Sequence, residues 1–147
     1  MNEPDPTSQR RPVILIVDDE MDMRIFMSTL FETSGFAAVA ARDGRQGLDK
    51  ARSEKPALII LDVMMPGEGG ALMYRALKAD PGLNRIPVIM LSAVAEPTFR
   101  HYLQMLCTQS GQVVPEPQAY MEKPPDPDAL LLLAQRVMSA AEAVDPF

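Results

Sequence analysis

Four short segments of this sequence hold the groups best suited to binding a metal or moving a phosphoryl group. They are Asp18-Asp19-Glu20, Asp62, Ser92 and Lys123. Carboxylates gathered in one place repel and raise one another's pKa unless a cation intervenes. A set of hard oxygens with room left for water suits Mg2+. A carboxylate beside such a cation can attack phosphorus and form an aspartyl phosphate. A lysine ammonium then offsets the charge on the equatorial oxygens, and a serine hydroxyl can donate to one of them. Taken singly, Asp18-Asp19 reads equally well as an acidic pair at a helix N-terminus. Likewise, Lys123 alone reads as a solvated lysine and Ser92 as a small loop residue. The choice depends on whether the chain brings the four segments together.

The hydrophobic pattern predicts that it does. Val13–Val17 is a continuous β-branched run, apolar on both faces, as a parallel strand covered by helices on both sides requires. Met23, Phe26, Met27 and Leu30 then recur at helical spacing up to a stop at Gly35. The alternation continues with a strand over Phe36–Ala41, a helix capped by Asp43 to about Glu54, and a strand over Ala57–Leu61. A loop over Asp62–Gly69 opens a helix carrying Leu72, Met73, Ala76 and Leu77, and Pro87–Leu91 is the fourth strand. A helix around Thr98–Thr108 bears Phe99, Tyr102, Leu103 and Leu106, and Gln118–Met121 is the fifth strand. Asp126 caps a last helix, with Pro127 at its first position and Leu130, Leu131, Ala134, Val137 and Met138 facing inward. Strands alternating with helices make an α/β fold, a doubly wound five-stranded parallel sheet with helices on both faces. Ligands of such sheets bind beyond the carboxyl ends of the strands. Asp18, Asp62, Ser92 and Lys123 all stand there.

Composition narrows the classes. At 147 residues with 47% hydrophobic and 23% charged side chains, the chain suits one folded domain rather than a disordered or fibrous one. A net charge of −6 without a local basic patch argues against direct contact with nucleic acid. The single cysteine, Cys107, excludes an intramolecular disulfide framework and reads as a buried structural thiol. Residues 1–12 read as a flexible tail. No apolar run is long enough for a membrane span and no signal peptide is visible, so the expected location is cytoplasmic.

The segments Val-Asp-Asp-Glu at 17–20, Leu-Asp-Val-Met-Met-Pro-Gly at 61–67, Leu-Ser-Ala at 91–93 and Glu-Lys-Pro at 122–124 resemble, in order and spacing, the receiver domains of two-component response regulators. The resemblance runs from Val13 to about Val144 and implies the flavodoxin-like (βα)5 receiver fold. It implies Asp62 as phosphoacceptor, Asp19 as a direct Mg2+ ligand, Asp18 as a ligand largely through water, and the backbone carbonyl of Met64 completing the metal shell. Ser92 matches the switch hydroxyl, Lys123 the lysine that contacts the phosphoryl group, and Tyr120 the aromatic that reports phosphorylation to the face formed by the helix around Thr98–Thr108, the fifth strand and the last helix. Pro124 is expected to be cis. Tyr120 also reads as an amphipathic residue half-buried at a strand edge, and Met64, Met65 and Met73 as loop and core packing.

The implied partners are a sensor histidine kinase or a histidine phosphotransfer protein upstream and an unknown protein target downstream. The implied activity is a phosphorelay switch that catalyses only its own phosphoryl transfer and autodephosphorylation. Alternatives are a Mg2+-dependent phosphohydrolase with an aspartate nucleophile, or a binding module indifferent to phosphorylation. The first would place a second aspartate two residues after the nucleophile, where Met64 stands. The departures from the family surround the site. Gly69 replaces an acidic residue that would cap the next helix, Pro125 stands where a large apolar residue is common, and the connection 93–119 is enlarged and ends in a proline-rich run over 111–117. Six of the 14 prolines fall between Pro97 and Pro127. With about three residues after Val144, no output domain is expected on this chain.

Overall fold

The computed structural model describes residues 11–65, 69–93, 95–111 and 114–144. Five strands and five helices alternate along them: β1 (Val13–Val17), α1 (Met21–Thr33), β2 (Ala37–Ala41), α2 (Gly44–Glu54), β3 (Leu58–Asp62), α3 (Gly69–Ala79), β4 (Val88–Ser92), α4 (Glu96–Ser110), β5 (Ala119–Glu122) and α5 (Pro127–Val144). The sheet is parallel throughout, in the order β2-β1-β3-β4-β5. Strands β2 to β5 each begin one residue later than the hydrophobic runs suggest. The last three end later too, so Asp62 and Ser92 are the final residues of their strands rather than the first of the following loops.

Successive residues of the central strands point to opposite faces and supply two cores. Leu15, Val17, Ile59, Leu61, Val88 and Met90 pack with Ala51 of α2 and Met73, Tyr74 and Leu77 of α3. Ile14, Ile16, Leu58, Ile60, Ile89 and Leu91 pack with Met27 and Phe31 of α1 and with Leu130, Ala134 and Val137 of α5. Both faces are covered, which is why these strands read as unbroken apolar runs.

Local signals set most element ends. The Asp43 side chain accepts from the Gln46 N–H at 2.8 Å, while the Gln46 side chain accepts from the Arg42 N–H at 2.9 Å. Asp126 accepts from the Ala129 N–H at 2.9 Å to start α5. Gly35 takes φ +96°, and the Phe36 N–H reaches back to the Phe31 carbonyl at 3.0 Å, closing α1 with a left-handed cap. Met65 and Met73 are buried as expected, whereas Met64 is exposed.

Two sequence expectations need correction. Phe26 and Leu72 are exposed, because the inward stripes run through Met27 and Phe31 on α1 and through Met73, Tyr74 and Leu77 on α3. A 100° turn per residue makes a one-position error in the stripe costly to read. The alternative reading of the acidic pair as a helix cap falls away, as the strand-end pattern favours: Glu20 is the N-cap residue of α1 and makes no side-chain capping bond. The tail over residues 1–10 and the side chains of Phe99, Leu103, Leu106 and Cys107 lie outside the described residues. Among those described, no helix is long and apolar enough to cross a membrane.

Candidate functional site

The strand order reverses between β1 and β3, so the carboxyl ends of these two neighbours open a crevice at the rim of the sheet. Asp18, directly after β1, and Asp62, the last residue of β3, stand there side by side, both buried at 0% and 3% exposure. The Lys123 ammonium lies 2.8 Å from Asp18 Oδ2 and 3.1 Å from Asp62 Oδ2. The more exposed Glu20 reaches the same ammonium at 3.6 Å. Lys123 follows β5 and is held in line by its N–H bond to the Ser92 carbonyl at 2.9 Å. The Lys123–Pro124 bond is cis, as the resemblance implies.

Asp18 is fixed on every side. Its N–H donates to the Ala41 carbonyl at 3.0 Å, and its carbonyl accepts from Arg24 Nη1 at 2.8 Å. Its Oδ1 accepts from the Glu20 N–H at 2.9 Å, and its Oδ2 pairs with Lys123. Asp62 Oδ1 accepts from the Met64 N–H at 3.2 Å. Behind Asp62, Gly70 of α3 lies so close that a Cβ there would fall on the Asp62 carbonyl oxygen and within 2.8 Å of Val63 Cα. Only glycine lets α3 approach the end of β3 in this way.

Burial pushes the Asp62 carboxyl up to about 6, and the neighbouring Asp18 carboxylate adds to the rise, while Lys123 opposes it. For Lys123, burial works against the charge, but Asp18 and Asp62 outweigh it and hold the ammonium above its ordinary range. Two buried carboxylates sharing one lysine are an electron-rich oxygen set that a further cation would stabilise. The carboxylates of Asp18, Asp19 and Glu20 also offer oxygens within 4.8 Å of one another. The donor set fits a hard divalent cation.

Ser92 is buried at the end of β4, one strand from Asp62. Tyr120 is half-buried on β5, two positions before Glu122, with the Arg100 guanidinium 5.6 Å above its ring. Burial raises its hydroxyl above the ordinary tyrosine value. All the segments singled out in the sequence therefore meet at one rim. Glu20, singled out with Asp18 and Asp19, belongs to both the lysine cluster and the acidic group. Sequence reasoning missed one residue. Arg24 gave no local signal, since a helical arginine reads as surface until its carbonyl partner is known.

The family model for the response regulator receiver domain matches residues 14–133. The chain belongs to the response regulator receiver domains. It is 36% identical over 85 residues to the polar-differentiation response regulator DivK of Brucella anthropi, a stretch covering 58% of this chain and 68% of that one. It is also 36% identical over 90 residues to hybrid signal transduction histidine kinase D of Dictyostelium discoideum, covering 61% of this chain but only 6% of that protein. Among solved structures, the chemotaxis protein CheY4 of Vibrio cholerae superposes with a TM-score of 0.73 at 27% identity, covering 87% of this chain and 99% of that one. The receiver domain of a histidine kinase from Syntrophus aciditrophicus gives 0.75 at 26% identity, covering 92% and 96%. This receiver domain is thus a phospho-accepting signalling switch of two-component type.

Proposed function

We propose that Asp62 is the phosphoacceptor, taking a phosphoryl group from a phosphohistidine on a sensor kinase or histidine phosphotransfer protein. The Lys123 ammonium, shared at 2.8 and 3.1 Å between buried Asp18 and Asp62, is the observation that carries this reading. An Asp62 oxygen forms the new O–P bond as the P–N bond to the donor imidazole breaks, and the imidazole keeps the electron pair. Lys123 then turns its charge toward the phosphoryl oxygens. Ser92, at the end of β4, lies on the side from which a hydroxyl donor would reach the same group. Asp18, Asp19, Asp62 and the Met64 carbonyl would hold Mg2+, Asp18 largely through water, and Glu20 stands close enough to share in the acidic group. When bound, Mg2+ would supply charge neutralisation at the phosphoryl oxygens.

Autodephosphorylation follows at this same site as water attacks the phosphorus, the O–P bond to Asp62 breaks with the carboxylate keeping the electron pair, and inorganic phosphate leaves. Phosphorylation draws Ser92 inward and makes room for Tyr120, changing the α4–β5–α5 face that a downstream protein reads. Residues 13–144 form the receiver unit, its enlarged connection spans about 93–119, and the setting is cytoplasmic. Incubation with acetyl phosphate and Mg2+ should add one phosphoryl group by intact mass, and Asp62→Asn should abolish the adduct. An unmodified wild type, with Mg2+ binding shown independently, would rule the assignment out.

A further inference from the structure

The enlarged connection before β5 is anchored at several points. The Tyr74 hydroxyl donates to the Pro115 carbonyl at 2.6 Å, Gln118 pairs with Val88 through both its N–H and its side chain, and Pro117 is buried. One contact ties this segment to the switch. Arg100, on α4, pairs with Glu96 one turn earlier at 3.6 Å and with Glu116 of the connection at 3.4 Å. The same guanidinium lies 5.6 Å above the Tyr120 ring. A planar cation can engage a ring with its face while its edges pair with carboxylates, which a lysine cannot match. One side chain thus joins α4, the connection and β5.

We infer that Arg100, held by Glu96 and Glu116, is a positioning residue that clamps Tyr120 in its place on β5 and makes the proline-rich connection part of the phosphorylation switch. The inference rests on Tyr120 being the residue that moves. Because these contacts join α4, the connection and β5, any rearrangement that displaces Tyr120 or α4 from this arrangement must break them. The clamp therefore favours the arrangement in which it forms, and removing it shifts the equilibrium between the two forms of the switch. The contacts are partly exposed, so each is modest.

The test uses the whole chain and beryllofluoride with Mg2+ as the phosphoryl mimic, in wild type, Arg100→Ala, Arg100→Lys and Glu116→Gln. Arg100→Ala should move the beryllofluoride midpoint by roughly three- to tenfold, downward if the clamped form is the inactive one and upward if it is the active one. Before any mimic is added, its Tyr120 ring resonances should shift and amide exchange over 114–118 should quicken. Arg100→Lys keeps the ion pairs but not the planar stack and should fall between. Unmoved Tyr120 resonances in resting Arg100→Ala overturn the clamp, and so does an unchanged beryllofluoride midpoint. A wild type that fails to bind beryllofluoride refutes the Asp62 assignment instead. The clamp is then judged by the ring resonances and exchange rates of the resting protein.

Discussion

At the scale of single residues, the site is a compromise between two carboxylates and one lysine, and Asp62 bears its cost. Its carboxyl, ordinarily near 3.8, stands at about 6 in the folded chain, chiefly through burial. A raised folded pKa means that the folded state holds the proton more tightly than the unfolded one. The corresponding stability is complete below about pH 4 and is lost as pH rises through 6. A difference of that size amounts to roughly 3 kcal/mol. Urea unfolding in the absence of divalent cations should therefore show a stability loss between pH 4 and 6.5. Asp62→Asn should lack most of that loss and be more stable than wild type at pH 7 by about 2 to 3 kcal/mol. A mutant with the wild-type slope would place the titrating group elsewhere. Gly70 makes the opposite case, since its role is to be absent: Gly70→Ala should cost about 3 kcal/mol in the same assay, because the new methyl meets backbone rather than a movable side chain. The chemistry of Asp18, Asp62 and Lys123 was legible in the sequence because residue type and strand-end position sufficed. The pairing of Glu20 with Lys123 and the role of Arg24 were not, because they depend on which backbone atoms and charges come near after folding.

At the scale of elements, type and order followed from the alternation of apolar runs, and caps such as Asp43 and Asp126 marked helix starts as their chemistry requires. Facing was harder to read. The spacing of Met23, Phe26, Met27 and Leu30 admits two adjacent stripes, and only packing against the sheet selects the one through Met27 and Phe31. Tyr74 shows the same limit: a tyrosine on a helix reads as amphipathic, yet here it is fully buried and donates to Pro115, 41 positions along the chain. That bond joins α3 to the segment before β5, whose described residues 114–118 lie in neither helix nor strand. Tyr74→Phe keeps the ring and strands the carbonyl. It should lower stability by about 1 to 2 kcal/mol and speed amide exchange over residues 114–118 more than in the central strands. Uniform acceleration across the sheet would mean that the hydroxyl serves global packing instead of anchoring this segment.

At the scale of the whole molecule, a chain of net charge −6 gathers three of its carboxylates within 4.8 Å of one another and buries two at neighbouring strand ends. Such an arrangement opposes folding through self-repulsion, and any cation that binds only the folded rim relieves it. Mg2+ at a hundredfold its dissociation constant would add about 2.7 kcal/mol. For a domain of this size that corresponds to a melting temperature higher by roughly 5 to 10 °C. A monovalent salt of equal ionic strength screens the surface charge without occupying the site and should give a far smaller shift. Asp19→Asn removes an exposed acidic oxygen without touching the Lys123 pairs and should abolish most of the Mg2+ effect while leaving the metal-free melting temperature nearly unchanged. Asp62→Asn should give a different pattern, with a higher metal-free melting temperature and a smaller gain from Mg2+, because the buried charge that the cation offsets is already gone. If Mg2+ and matched monovalent salt raise the melting temperature equally in all three proteins, the acidic rim acts only as diffuse surface charge, and the metal assignment fails.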